Sequence, residues 1–256
     1  MSKQAFLLLC NKTSTQLLAQ YQLLYNATKT MGECIVLYHL QREQHENIPG
    51  AAVYPFTDEV LTRLNYIPIG FSLLPGNNHF PLLKFYNEHP DFDYYWIVED
   101  DVRFNGDWQQ FFQAFDDVSS DFISTHIHPF RDAPAWPWWG TLANSYQCIP
   151  VEQRIKSFNP VYRLSRHALQ HIHQSLKAMW VGHHEVLLPT LLHKGGFSLM
   201  DMGGRGRFTP EPFRDRFYDA IDLKRDGSIL EGTMRWRPVF REMGSSVDKL
   251  YHPVKA

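Results

Sequence analysis

The chain has 256 residues, of which 44% are hydrophobic, and a formal net charge of −2. This composition suits one large α/β domain, and the nearly balanced charge argues against a nucleic-acid partner. The apolar run near the N-terminus is too short for a secretory signal or a transmembrane segment, and three widely spaced cysteines (Cys10, Cys34 and Cys148) are typical of reduced core thiols, so we expect a cytoplasmic protein.

Hydrophobic periodicity predicts strands and helices that alternate along the chain. Strands are predicted at about 5–10, 33–40, 51–55, 94–98, 121–128, 158–164 and 197–201. Helices are predicted at about 13–27, 58–64, 78–89, 107–115, 165–176 and 185–194, with Thr13, Asp107 and Ser165 as N-caps. A polar loop is predicted at 41–50 and an irregular flap near 208–237. The strand–helix–strand order favours a mainly parallel sheet.

The most informative stretch is the apolar strand at 94–98, which runs directly into Glu99, Asp100 and Asp101. A continuous apolar run indicates a strand that is buried on both faces, and open α/β sheets bind ligands at the carboxyl ends of their strands. Two unit charges about 4 Å apart repel by roughly 1 kcal/mol in water and about 4 kcal/mol at an effective dielectric of 20. A hard divalent cation such as Mg²⁺ or Mn²⁺ would relieve this repulsion. The triplet therefore predicts a metal site, with a solvated acidic loop as the alternative.

Two further segments carry candidate site residues. Trp138 and Trp139 lie in a proline-rich stretch, where they either fill the core under a loop or form an aromatic wall for a sugar. Glu185 follows His184 in the first turn of a predicted helix, where the helix dipole favours an ionised carboxylate. Glu185 is therefore a candidate general base or metal-facing acid, with a simple capping residue as the alternative.

The C-terminal part of the chain adds three more candidates. Arg205 and Arg207 lie among glycines after the last predicted strand, a weak indication of phosphate binding. His252 lies between a tyrosine and a proline near the end of the chain, and its imidazole could complete the metal coordination that Asp101 begins.

Together these residues resemble nucleotide-sugar-dependent glycosyltransferases of the GT-A fold. The triplet at 99–101 is similar to the acidic, DxD-type metal motif, especially that of the N-acetylglucosaminyltransferases. The resemblance implies that Asp101 and His252 bind the metal, and that Glu99 and Asp100 face the nucleotide or sugar. Glu185, with His184 beside it, resembles the segment where inverting members keep an acidic base at a helix start.

The resemblance also implies a fold and an activity. We expect a single domain over 1–256, a three-layer α/β/α Rossmann-like GT-A fold with a mixed, mainly parallel central sheet. Its nucleotide-binding half would span about 1–128, and its acceptor-binding half about 129–256 with a flexible flap near 208–237.

The expected activity is hexosyl transfer, dependent on Mn²⁺ or Mg²⁺, from a nucleoside diphosphate sugar to a glycan or other hydroxyl acceptor, with inversion at the anomeric carbon. Arg205 or Arg207 would assist at the diphosphate, and Trp138 and Trp139 would line the acceptor pocket.

Three alternatives stay open from the sequence. The first is a sugar-phosphate nucleotidyltransferase, which can use a similar sheet and acidic metal site. The second is a metal-dependent hydrolase that uses His126, His128, His183 and His184. The third is a carbohydrate-binding module built on the tryptophan-rich loop.

Overall fold

A computed structural model describes residues 2–41 and 48–255. Positions 42–47 of the predicted polar loop lie outside these residues. The strands of the described chain are β1 Gln4–Cys10, β2 Gly32–His39, β3 Ala52–Phe56, β4 Tyr94–Glu99, β5 Arg103–Phe104, β6 Phe122–Pro129, β7 Ile155–Ser165, β8 Leu199–Asp201 and β9 Leu250–Tyr251. Its α-helices are α1 Thr15–Thr28, α2 Val60–Arg63, α3 His79–Glu88, α4 Trp108–Gln113, α5 Arg166–Lys177 and α6 His184–Lys194.

Seven strands form the central sheet, in the order β3-β2-β1-β4-β7-β6-β8. All of its neighbouring pairs are parallel except the two that involve β7, which runs antiparallel to both β4 and β6. The remaining strands, β5 and β9, form a separate antiparallel pair. The predicted mixed, mainly parallel sheet is therefore confirmed.

Two hydrophobic cores cover the two faces of this sheet. Alternate residues of β1 enter different cores, Ala5 and Leu7 on one face and Phe6 and Leu8 on the other, as the two-residue period of a strand requires. Helices α2, α3, α5 and α6 contribute to the first core, and α1 and α4 to the second. The three-layer α/β/α arrangement is thus confirmed. No helix in the described ranges is long and apolar enough to span a bilayer.

Helix caps explain where several elements begin. Asp107 and Ser165 cap α4 and α5 as predicted, accepting backbone N–H hydrogen bonds at 2.7 and 3.1 Å. The prediction for α1 is wrong by one residue, because Ser14, and not Thr13, accepts the N–H of Leu17 at 3.1 Å. Both hydroxyls can cap a helix, so the backbone conformation at the start of the helix decides which of them does.

The cysteine prediction is confirmed in part. Cys10 and Cys34 are free thiols buried in the core, where burial raises the pKa of Cys34 to about 12. Cys148 is also free but exposed, so the prediction that it is a core residue is wrong. It lies in a non-helical stretch between two 3₁₀ turns, away from the periodic elements that make up the core.

The segment after β8 is irregular but packed against the sheet. Buried Asp201, at the end of β8, accepts hydrogen bonds from the N–H groups of Ile127, Gly203 and Gly204 at 2.8–3.0 Å and from the Tyr218 hydroxyl at 2.8 Å. These bonds attach the segment after β8 to the end of the sheet at Gly203, Gly204 and Tyr218. One carboxylate therefore anchors this irregular segment at three residues.

Replacing this carboxylate should destabilise the fold strongly. We expect Asp201→Ala to lower the free energy of unfolding by about 3 kcal/mol or more, because it leaves several buried donors without an acceptor. The measurement is urea denaturation followed by fluorescence. The matched control is Asp226→Ala, which removes an exposed carboxylate that accepts an N–H from Ser228 and should cost less than about 1 kcal/mol. Equal losses in the two variants would contradict this role of Asp201.

Candidate active site

The acids predicted as a metal site lie where the two sheets meet. Glu99 is the last residue of β4, and Asp100 and Asp101 form the turn that follows. The next strand, β5, pairs antiparallel with β9, so that Arg103 lies opposite Tyr251. This pairing carries the residue after β9, His252, to the end of the central strand.

His252 and the acids are in close contact. The Nε2 atom of His252 is 3.3 Å from Asp101 Oδ1 and 3.6 Å from Glu99 Oε2. Lys255 Nζ approaches the other Asp101 oxygen at 3.2 Å. The Nδ1 atom of His252 lies 2.8 Å from the carbonyl oxygen of Arg235, so Nδ1 must be the donor there and Nε2 faces the acids.

The ionisation of this cluster follows from burial and charge. Burial, together with the charges of Asp101 and Glu99, raises the pKa of Asp100 to about 6. Burial alone would raise the pKa of Asp101, but His252 and Lys255 hold it below its usual value. Burial alone would lower the pKa of His252, but the close approach of the Asp101 and Glu99 carboxylates raises it to about 9.

Glu99, Asp101 and His252 fit a metal ion. Each offers a ligand atom, and the three atoms lie within 4.8 Å of one another. Asp101 Oδ1 is buried and accepts no hydrogen bond from the described part of the chain, an arrangement that calls for a partner. The bond from His252 Nδ1 to a backbone carbonyl fixes the ring as in metal-binding histidines. Two carboxylates and one imidazole suit Mn²⁺ or Mg²⁺.

A cavity of about 490 Å³ opens beside this cluster. Glu99, Asp100 and Asp101 form part of its wall, at the carboxyl ends of β1 and β4. Its remaining lining is mixed and includes cations, flat rings and apolar side chains: Lys12, His39, Phe56, Leu73, Asn78, Arg103 and Lys255. This volume is typical of small-molecule sites, and the cations favour an anionic ligand.

Glu185 lies in the first turn of α6, near enough to Glu99 and His252 for their charges to act on it. Its backbone N–H donates to the Nδ1 atom of His183, the N-cap, at 3.3 Å. The Glu185 side chain is only 15% exposed. Burial raises its pKa to about 7, although the positive charge of Lys156 and a backbone N–H from Asn159 oppose the shift. A carboxyl with this pKa can accept a proton near neutral pH.

His79, His183 and His184, near the start of α6, are neutral at pH 7 because burial lowers the pKa of each. His184 is buried, and both burial and the neighbouring imidazoles hold its pKa well below the usual value. The same causes lower the pKa of His79, whose ring is stacked on that of His184, to about 3. His184 therefore supports the start of α6 as a neutral ring.

The two predicted acceptor-site tryptophans differ in position. Trp138 is half-buried and stacks on the ring of His183, with centroids 4.7 Å apart. Trp139 is buried and donates its Nε1–H to the carbonyl of Ala133 at 2.7 Å, so it supports the loop from within. Trp136 was not singled out from the sequence, yet its ring lies 5.1 Å from the Nζ of buried Lys156.

The structure does not bring Arg205 and Arg207 to the 490 Å³ cavity. Arg205 is exposed and pairs with Asp215, with Nε 2.8 Å from Oδ2. Arg207 is exposed, lies over the ring of Phe208 and lines a different cavity, of about 310 Å³. The local sequence gives no indication of where either arginine lies in the fold. It also does not indicate which cations line the larger cavity.

The four histidines of the hydrolase alternative are not assembled. His126 Nε2 is 2.8 Å from the carbonyl of Met234, His128 faces Asp132 at 3.4 Å, and His183 caps α6. Within 2–41 and 48–255, the one group of three residues placed to share a metal ion is Glu99, Asp101 and His252. The structure therefore provides no zinc site built from these histidines in the part of the chain that it describes.

Sequence comparison gives one partial match. Residues 72–123 match the family model described as "Protein of unknown function (DUF3405)", a range that includes α3, β4 and the acidic triplet. No curated protein matches the sequence significantly.

Several solved structures are similar in fold. One is a glycosyltransferase involved in glycosylation of the major capsid of PBCV-1, at 11% identity and a TM-score of 0.36, covering 68% of this chain and 64% of that chain. A second is galactosyltransferase LgtC in complex with donor and acceptor sugar analogs, at 11% identity and a TM-score of 0.45, covering 83% and 82%. A third is glucosyl-3-phosphoglycerate synthase from Mycobacterium tuberculosis in complex with Mn²⁺, uridine diphosphate and phosphoglyceric acid, at 12% identity and a TM-score of 0.44, covering 78% and 68%.

This chain thus spans less than two thirds of the length of the first of these structures. Likeness at this level does not bear on function, which has to be inferred from the residues of the site themselves.

Removing His252 should change how stability depends on pH. Its folded pKa of about 9 is above its ordinary value of 6.5, so the protonated ring stabilises the fold fully below pH 6.5. That contribution, roughly 3 kcal/mol, is lost as the pH rises through 9. We expect the melting temperature of the protein in chelator to fall over this window, and His252→Gln to abolish much of the fall. The matched control, exposed His167→Gln, should follow the wild type; an unchanged decline in His252→Gln would contradict the prediction.

Proposed function

We propose that the protein is a metal-dependent glycosyltransferase that moves a sugar from a nucleoside diphosphate sugar to a hydroxyl acceptor. The observation that carries the proposal is the Glu99–Asp101–His252 cluster, whose two carboxylates line a 490 Å³ cavity. Metal ligands, cavity cations and a nearby carboxyl with a pKa of about 7, Glu185, are the groups that such a transfer requires. The proposal assigns the triplet the part of a DxD-type motif.

The cavity suits the nucleoside diphosphate of the donor. Lys12, Arg103 and Lys255 offer positive charge to the diphosphate beside the acids. His39 and Phe56 also line the cavity, and their rings are stacked with centroids 5.0 Å apart, so they offer a flat surface to a base.

Asp101, His252 and Glu99 would hold the ion, Mn²⁺ or Mg²⁺. The bound ion would neutralise the negative charge that develops on the departing diphosphate. Glu99 is assigned here to the metal rather than to the nucleotide, because Asn78 Nδ2 donates to its Oε1 at 3.2 Å while Oε2 faces His252. Asp100 stays with the ligand side of the cavity wall.

Glu185 would take the proton from the acceptor hydroxyl. The acceptor oxygen then attacks the anomeric carbon on the face opposite the leaving diphosphate, which inverts the configuration. Trp138, stacked on His183 near Glu185, offers a face to the acceptor sugar. His184 stays neutral and keeps the first turn of α6 in place.

Nucleotide binding should depend on the ion and on Asp101. We expect uridine or guanosine diphosphate with Mn²⁺ to raise the melting temperature by several degrees, because a ligand at 100 times its Kd stabilises by about 2.7 kcal/mol. Chelator or Asp101→Asn should abolish the shift in a thermal-shift assay. Asp226→Asn, on the surface, is the control. A nucleotide shift that survives both chelator and Asp101→Asn would rule out this metal site.

Glu185→Gln should remove transfer but not donor binding. We expect the rate of sugar transfer to fall by at least about 10²-fold, since the amide cannot accept the proton. The shift with nucleotide and Mn²⁺ should stay near the wild-type value. Full transfer in this variant would disprove the base assignment.

Pyrophosphate release from a sugar phosphate and a nucleoside triphosphate, without transfer, would show a nucleotidyltransferase instead.

A further inference from the structure

Lys156 is a buried cation that the transfer described above does not yet use. It lies near the start of β7, opposite His128 of β6, and is 1% exposed. Lysine is almost never fully buried unless its charge is paired. None of the ion pairs within 4.0 Å in the described ranges involves Lys156, although the ring of Trp136 lies 5.1 Å from its Nζ. The ammonium therefore has no carboxylate in contact, and its charge has to be compensated from a greater distance.

That compensation comes from Glu185. The charge of Lys156 favours the ionised carboxylate of Glu185, and Glu185 favours the ammonium form of Lys156. Their surroundings connect, because the rings of Trp136 and His183 meet edge to face at 6.0 Å and His183 Nδ1 is 3.9 Å from Glu185 Oε2. The buried charges of Lys156 and Glu185 thus lie on either side of the Trp136–His183 ring pair and are more than 4.0 Å apart.

Other titratable groups face the pair. His126 and His128 on β6, together with His183, face Lys156, and burial with the lysine charge lowers the pKa of each. Glu99 and His252 face Glu185 from the metal cluster. The histidines near Lys156 are neutral, so Lys156 carries the positive charge on this side of the site.

We infer that Lys156 and Glu185 form the two sides of the subsite for the acceptor hydroxyl, and that Lys156 is a further catalytic residue, donating a hydrogen bond to the acceptor oxygen. The inference rests on the proposed transfer function. The acceptor O–H bond breaks as its proton passes to Glu185, and the oxygen bonds to the anomeric carbon. The bond from that carbon to the diphosphate breaks, and its electron pair leaves with the nucleoside diphosphate. Because the charges of Lys156 and Glu185 balance, the subsite suits a neutral hydroxyl rather than an anionic acceptor group.

The pH dependence of the wild-type enzyme gives a first test. Transfer requires ionised Glu185, with a pKa of about 7, and protonated Lys156, with a pKa of about 8. We expect kcat to follow a bell-shaped profile with a maximum between these values. Because the two groups interact, the two apparent pKa values belong to the pair.

Lys156→Met gives the second test. The side chain keeps its length and apolar stem but loses the charge, so kcat should fall about 10²-fold. The alkaline limb of the profile should disappear, and the acid limb should move to higher pH, because no cation then favours ionised Glu185. The melting shift with uridine diphosphate or guanosine diphosphate and Mn²⁺ should be unchanged. The matched control, exposed Lys194→Met on the same helix as Glu185, should keep the wild-type rate and profile.

Two results would overturn the inference while leaving the proposed function intact. One is a Lys156→Met enzyme with a near-wild-type kcat and an unchanged profile. The other is a wild-type profile that rises to a plateau with no alkaline limb, which decides the matter even where Lys156→Met does not fold. A wild-type protein without any nucleotide-dependent melting shift would instead overturn the proposed function itself.

Discussion

The negative charges of three adjacent carboxylates have to be offset, and the way the chain offsets them determines where its C-terminal tail lies. Glu99, Asp100 and Asp101 end the central strand, and charges about 4 Å apart repel by roughly 4 kcal/mol at an effective dielectric of 20. Positive charge arrives from the far end of the chain, as His252 and Lys255. The central strand and the C-terminal tail therefore depend on each other, and a bound cation would act at the point where they meet.

The irregular segment before the tail serves the same contact. The N–H of His252 donates to the carbonyl of Thr233 at 2.9 Å, and its Nδ1–H donates to that of Arg235. The segment is held in turn by Tyr218, whose hydroxyl donates to Asp201. The irregular segment, which the sequence predicts as a flap, thus orients the imidazole of His252 through hydrogen bonds that no local sequence pattern predicts.

The sequence was informative where one short stretch contained the whole signal. The apolar run into Glu99 predicted both the buried strand and the position of the acids, because strand burial and strand ends are local properties. The start of β7 was missed, since Lys156, Ser157 and Asn159 are polar and yet buried. Polar residues in this part of the strand therefore do not indicate exposure to solvent. Which cations line the cavity could not be predicted, because that depends on contacts between distant parts of the chain.

The reversed direction of β7 explains how the two halves of the site meet. Val98 of β4 lies opposite Val161 of β7, and the two strands are antiparallel. The residues that precede Val161, among them Asn159 and Lys156, therefore extend beyond the carboxyl end of β4, the end at which the acids lie. A parallel strand in this position would end near the same level and would offer a loop. One antiparallel strand in a mainly parallel sheet thus carries polar side chains across the edge where ligand binding is proposed. The proposed donor side on β4 therefore faces the proposed acceptor side on β7 and α6.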